Sequence, residues 1–553
     1  MKKKLQFNSD KKVLNLLICI IAWFNVSNAQ TKSIILGRPT NNSVTASLLF
    51  NQSVQYYISY GTTSGVYTNT TVIYTNTANT PDEIDLINLT AGTQYFYQLK
   101  YKLTSASVYT STPEYSFHTQ RIIGDEFTFT LEADEHLYDK KGVANMYKVC
   151  LQNQLNDKPD FMMSLGDIFG DDHNALTITS HELDSLHCAY RSFLGNICHS
   201  VPFYVCLGNH EGENDYYYNL NPGNNLCVWG TQWRKYYYPN PYPNAFYSGN
   251  TDNEPFGIGN PENYYSWQWG NALFVVLDVY RDQCDTSDKP TGWNWSLGLP
   301  QYTWLKNTLE GSNAQFKFVF AHHIRGQGRG GILNAQLDEW GGYQNSSLTN
   351  YTFPTHRPGW AKPIHKLFID NGVNIFFQGH DHVFAHEQLN GVTYQAVPMP
   401  SDSTYQIGFL ANASAYVSDT LDGTGHIRVK VSQNCVKVDY IRAYLPADTL
   451  NGLHHNGEVA FSYTVGSCLS TGLNNQNADD LIKVFPNPVS NKLIINSTEN
   501  ITNSNFILRN ALGQTVMQTI SKEIDVSQIA NGIYFLNLDN ERIHLNKKII
   551  INH

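Results

Sequence analysis

The chain has 553 residues, 41% of them apolar, a formal net charge of −10 and a pI near 6.0. That length exceeds one compact core and calls for roughly two to four domains. The composition excludes disorder as the general state, and the acidic balance excludes a nucleic-acid backbone as main partner, because no excess of Lys and Arg is present to neutralise its phosphates.

Residues 1–29 read as a signal peptide. Lys2, Lys3, Lys4, Lys11 and Lys12 precede a mostly apolar run from Val13 to Val26 that ends in the small residues Ser27-Asn28-Ala29. The run is short for a membrane span, so cleavage after Ala29 is expected. No later run is long enough to cross a bilayer. Eight cysteines remain after Cys19 is lost, and export permits disulfides among them. Their spacing fixes no pairing, and the absence of CxxC argues against a zinc–thiolate site.

Residues 30–121 read as strand after strand. Val44 to Leu48 and Gln55 to Tyr60 are β-rich, with breaks at Gly61 and Gly65. Leu89-Thr90-Ala91-Gly92-Thr93 places a turn before the aromatic strand Gln94 to Tyr97, which resembles the tyrosine corner of immunoglobulin-like sandwiches. From residue 122 to 445 apolar β-runs alternate with longer segments, as in a layered α/β domain whose strands are buried on both faces. The stretch from Tyr216 to Trp295, rich in Tyr, Asn, Pro and Gly, is expected to form irregular loops over one sheet edge. Trp293, Trp295 and Tyr302 read as core or lid packing, with stacking on a base or sugar as the other reading. Residues 446–477 read as a linker, and 478–553 as a separate small β domain.

Five of the apolar runs end in metal-ligand residue types. Phe127 to Leu131 leads to Asp134-Glu135-His136, Phe161 to Leu165 to Gly166-Asp167, and Phe203 to Leu207 to Gly208-Asn209-His210-Glu211. Phe316 to Phe320 leads to His322-His323, and Val373 to Phe377 to Gly379-His380-Asp381-His382. In an α/β sheet, ligands gather beyond the carboxyl ends of the strands, so residues placed there five times should converge. Carboxylate, imidazole and amide oxygen suit zinc, manganese or iron. Seven such groups exceed what one tetrahedral ion takes, and two ions sharing a carboxylate explain the number better. Such a pair clamps the attacking and leaving oxygens of an in-line displacement, with a hydroxide as nucleophile.

Each motif alone has a plain structural reading as a turn, cap or core histidine, but all five in this order resemble the calcineurin-like metallophosphoesterase superfamily. The resemblance implies a four-layer αββα sandwich as catalytic domain and a secreted hydrolase of phosphate esters. It assigns Asp134, His136 and His382 to one metal, Asn209, His322 and His380 to the other, and Asp167 to both. His210 then assists the leaving group as acid or charge stabiliser, and His323 and Arg325 are further candidates to face the phosphate. The preceding domain is similar to the fibronectin III-like amino-terminal domain of purple acid phosphatases, which tilts the expectation towards monoesters; a phosphodiesterase of the same superfamily is the alternative. Two departures from those enzymes matter: Gly170 stands where they carry a tyrosine three residues after the bridging aspartate, and His136 stands where they lack a histidine. A tyrosinate–iron colour is therefore not expected. Asp171, Asp172 and His173 read as a solvated polar loop. In the tail, Val484-Phe485-Pro486-Asn487-Pro488, Asn510 to Gln514, Gly532 to Phe535 and Lys547-Lys548-Ile549 resemble the type IX secretion sorting domain. This implies the type IX machinery as partner and a secreted or outer-membrane-surface location in a Gram-negative bacterium. The reading outside the enzyme class is a surface adhesin or glycan binder with a relict metal site.

Overall fold

The computed structural model describes residues 32–170, 172–282, 292–324, 329–407, 410–450, 452–468, 482–497, 505–510, 514–539 and 544–553. The expected signal peptide, Asp171 and Arg325 lie outside them. The chain divides into two compact units, 1–467 and 468–553.

The first unit opens with a two-sheet β-sandwich. Lys32–Gly37, Val44–Phe50 and Asp82–Leu86 make one sheet; Val54–Gly61 and Gln94–Leu103 are the centre of the other. Val54, Tyr56 and Ile58 turn inward at period two and are fully buried. Tyr95 Oη accepts the N–H of Thr90 at 2.9 Å, closing the corner expected from the sequence.

Two mixed sheets then face each other. The first runs Phe203–Val205, Phe161–Ser164, Phe127–Glu132, Gly425–Val431, Cys435–Arg442 and Val459–Gly466, its first three strands parallel. The second has eight strands, in which Ala272–Val276, Phe316–Phe320, Ile375–Gln378 and Val392–Ala396 are parallel neighbours. Strand Phe316–Phe320 makes the layering explicit: Phe316, Phe318 and Phe320 pack between the sheets with Phe129 and Phe274, while Val319 packs outward beneath helices Gly298–Glu310 and Ile364–Asp370. Helices Ala144–Asn156 and Ser180–Leu194 cover the other sheet, giving four layers, αββα. The continuous apolar runs in the sequence are thus strands buried on both faces.

Two segments differ from the sequence reading. Residues 446–477 are not wholly a linker. Val459–Gly466 is a strand on the edge of the six-stranded sheet, and Phe461, Tyr463 and Val465 pack against the inter-sheet core. Within Tyr216 to Trp295 the apolar run from Ala272 forms the strand Ala272–Val276, as its pattern suggests, and the chain also forms a capped helix, Leu226–Tyr237, and a strand, Tyr265–Trp269, rather than loops alone. Trp293, Trp295 and Tyr302 are buried, as core packing requires. Cys435 and Cys468 are disulfide-bonded, whereas Cys150, Cys188, Cys198, Cys206 and Cys227 are free thiols.

The second unit has its own core. A three-stranded and a four-stranded antiparallel sheet enclose Leu493, Ile495, Leu508, Leu536 and Ile549. No helix among the described residues is long and apolar enough to cross a membrane.

Candidate metal centre

All five expected strands end at one place. Asp134 and His136 follow Phe127–Glu132, Asp167 follows Phe161–Ser164, and Asn209 follows Phe203–Val205; His322, His380 and His382 come from the facing sheet. Ligand atoms of Asp134, His136 and His382 lie within 4.8 Å of one another, and so do those of Asp167, His322 and His380. Asp167 Oδ2 stands between the groups, 3.8 Å from His136 Nε2 and 3.1 Å from His322 Nε2. Asp134 Oδ1 is 3.6 Å from His382 Nε2 and 3.8 Å from His322 Nε2.

The backbone around the centre is bent to bring these side chains in. Glu211 accepts the N–H groups of Asp167, Ile168, Phe169 and Gly208, so its buried carboxylate ties the second loop to the third. Asp167 Oδ1 accepts the N–H of His210, and Asp134 Oδ2 that of His380, which aims the other oxygen of each at the cluster. A Cβ at Gly170 would lie 1.7 Å from the His210 carbonyl oxygen, so the tyrosine of the purple enzymes has no room there. Tyr138 does stand beside the centre, but its Oη lies 3.1 Å from His136 Nδ1, the ring nitrogen turned away from Asp134 and Asp167.

Protonation follows from these contacts. His322 Nδ1 donates to the Leu165 carbonyl at 2.8 Å, and His136 Nδ1 lies 3.2 Å from the Asp139 carboxylate; each leaves Nε2 facing the cluster. Burial holds His136 below its ordinary value, and burial and neighbouring imidazoles hold His380 and His382 well below theirs, keeping them in the neutral form that binds metal. Burial also opposes charge on His322, but Asp167 and Asp134 outweigh it and push the group up to about 9. Two carboxylates converging on one imidazole thus draw a positive charge into the cluster. The buried acceptors Asp134 Oδ1 and Asn209 Oδ1 have no hydrogen-bond donor among the described residues. A hard or borderline cation satisfies both conditions, so this donor set fits metal.

His210 lies at the mouth, with Nε2 3.7 Å from Asp167 Oδ2. Its Nδ1 is hydrogen-bonded to Asp172, and the ring of His173 stacks on it with centroids 4.6 Å apart. Asp172 thus supports His210 instead of lying free in a solvated loop, whereas His173 is exposed, as the sequence suggested, and touches His210 only by its ring face. The missed signal was a carboxylate five residues beyond Asp167, within reach of the third loop. Burial disfavours the imidazolium, yet Asp167 and Asp172 push His210 up to about 9. His323 does not face the cluster mouth: it is fully buried with Nε2 3.7 Å from Asp381 Oδ2. Asp278, just after the strand Ala272–Val276, accepts from Asn263, Tyr280 and Arg281 and supports its own loop.

Residues 127–384 match the calcineurin-like phosphoesterase family, and residues 483–552 match the secretion system C-terminal sorting domain. No curated protein matches the chain. Among solved structures, the fold is similar to PhoD, with TM-score 0.54 and 16% identity over 78% of this chain and 90% of that one. It is also similar to purple acid phosphatase PPD1 from yellow lupin (Lupinus luteus) seeds, with TM-score 0.51 and 14% identity over 79% and 74%. At such identities these likenesses speak for the fold alone. The family match spans the strands and loops that carry the cluster, and on that ground residues 127–384 are a calcineurin-like phosphoesterase domain and the chain is a metal-dependent phosphoric ester hydrolase with a type IX sorting tail.

Proposed function

We propose that the chain hydrolyses phosphate monoesters outside the cell at a dinuclear centre. Asp134, His136 and His382 would hold one ion, Asn209, His322 and His380 the second, and Asp167 both, with iron, zinc or manganese as the metals. The observation that carries this reading is the position of Asp167 Oδ2 between His136 and His322. Bound metal supplies Lewis-acid polarisation of the phosphoryl group and activation of water at neutral pH.

The protein's own groups do the rest. Glu211 fixes the loops that carry Asp167 and Asn209, so the donor atoms need little reorganisation when substrate arrives. Asp172 holds His210 Nδ1, which leaves Nε2 directed at the Asp167 side of the cluster. In the imidazolium form His210 donates a hydrogen bond to the leaving oxygen and then its proton, a contribution worth roughly 100- to 10,000-fold in rate. The intact donor set, with His210 supported, speaks against an adhesin carrying a relict site. The sorting tail supports export through the type IX machinery to the surface or medium of a Gram-negative cell.

Elemental analysis of purified protein, paired with turnover of para-nitrophenyl phosphate and its bis-ester, tests the proposal. Two metals per chain with monoester turnover is the expected result. Faster turnover of the bis-ester would make the enzyme a diesterase, and absence of both metal and turnover after adding manganese, zinc or iron would overturn the reading.

A further inference from the structure

Asp381, between the candidate ligands His380 and His382, is fully buried and joins the ligand loop to the segment beginning at Arg329. It accepts the Gly330 N–H at 2.8 Å, the Tyr416 hydroxyl at 2.8 Å and Arg329 Nη1 at 3.1 Å. Arg329 Nη1 also donates to the His380 carbonyl at 2.6 Å. Both anchoring bonds therefore use one nitrogen. The Nε and Nη2 groups donate to nothing among the described residues, and the side chain is 47% exposed.

A guanidinium pinned by Nη1 keeps its Nε–Nη2 edge intact, the edge that grips two oxygens of a phosphate in parallel. We infer that Arg329 is a specificity-determining residue that grips the phosphoryl group of the substrate and selects the doubly charged phosphate of a monoester over the singly charged phosphate of a diester. The inference rests on the phosphoesterase reading above and adds a cause for monoester preference. A monoester carries its second charge above a pKa of about 6, so an added cation is worth more to it than to a diester.

The test compares metal-loaded wild type, Arg329→Ala and Arg329→Lys. Three readouts are taken: kcat/KM for para-nitrophenyl phosphate and for the bis-ester, calorimetric binding of inorganic phosphate, and metal content. For Arg329→Ala we expect roughly a 10- to 100-fold loss on the monoester, a parallel weakening of phosphate binding, little change on the bis-ester and unchanged metal content. Arg329→Lys should recover part of the loss, since it restores charge without the fork. Equal loss on both esters, or loss of metal, would make Arg329 a strut of the ligand loop and overturn the inference, as would no change at all. A wild type that loads metal yet turns over neither ester removes the phosphoesterase reading and the inference with it. An active wild type with an unaltered ester ratio in Arg329→Ala removes the inference alone.

Discussion

Five of the seven candidate ligands hold left-handed backbone: φ is 63° at Asp134, 45° at His136, 62° at Asp167, 68° at His380 and 55° at His382. Each costs a non-glycine residue about 1–2 kcal/mol, and the surrounding hydrogen bonds from Glu211, Asp134 and Asp167 must hold them there. Strain gathered on these residues is expected where geometry serves chemistry rather than stability. His210 has ordinary backbone by comparison, and its placement depends on Asp172. Asp172→Asn keeps the size but replaces the carboxylate that orients Nδ1 and favours the imidazolium. We expect kcat on a poor leaving group to fall roughly 10- to 100-fold, with metal content intact and a smaller loss on para-nitrophenyl phosphate, whose leaving group needs less help from an acid. His210→Ala should lose more, and Asp172→Asn should then add little in the double variant, because the two act as one unit. Additive losses would show that Asp172 acts through something other than His210.

At the scale of elements, the candidate site was legible in the sequence because every candidate ligand follows a buried strand within a few residues, and in three of the five motifs a glycine, Gly166, Gly208 or Gly379, stands directly before the ligand. Val459–Gly466 was not legible: an edge strand packed on one face shows only Phe461, Tyr463 and Val465 in alternation, and the Gly- and Asn-containing stretch before it masks the start. The support of His210 escaped for a different reason. Asp172 and His210 are 38 residues apart, and only the fold of the second loop against the third brings them together. Another long-range tie sets an acid limit on stability. At the end of helix Ala144–Asn156, Asp157 bonds His426 Nε2 at 2.8 Å and Arg428 Nη1 at 2.7 Å on the strand Gly425–Val431. Burial opposes ionisation of Asp157, but His426 and Arg428 overcome it and hold the carboxyl below its ordinary 3.8. Burial holds His426 below 6.5, so at neutral pH it donates as a neutral imidazole. Both lowered groups act in the same direction. Stability is full above 6.5, erodes as the unfolded histidine takes its proton, and is lost further as pH falls below 3.8 through the depressed Asp157 value. Asp157→Asn should cost about 1–3 kcal/mol at pH 7 and remove the lower step of the acid limb. An unchanged acid limb in thermal melts between pH 6 and pH 3 would refute this.

Across the first unit, the sandwich is not an independent bead. Leu36 N–H donates to Cys198 O at 2.9 Å, Tyr97 Oη to His199 O at 2.6 Å, and Tyr247 Oη to Pro39 O at 2.5 Å. Arg191, from helix Ser180–Leu194, is fully buried at this junction. Its Nε donates to Ser33 Oγ and its Nη1 to Ser47 Oγ, both at 2.9 Å. Nη2 donates to Ser47 O at 2.9 Å, and Nη1 also to Tyr237 O. No carboxylate pairs with it by contact among the described residues; burial pulls the guanidinium down to about 10, and only neutral acceptors hold it. A buried cation of this kind stabilises little on its own, but removing it takes one donor each from Ser33 Oγ, Ser47 Oγ and the carbonyls of Ser47 and Tyr237. Arg191→Met preserves much of the volume but gives up all four of these bonds, so we expect a loss of about 3–5 kcal/mol confined to the junction. Calorimetry of residues 32–468, which keep Cys468, should show one cooperative transition in the wild type. In the variant it should move down by several degrees and separate a sandwich step from the catalytic-domain step. Turnover per folded molecule should hold, because Arg191 belongs to the junction and not to the metal cluster. A wild type that already melts in two steps, or a variant whose transition does not move, would mean that the sandwich and the phosphoesterase domain fold independently and that these bonds only decorate the junction.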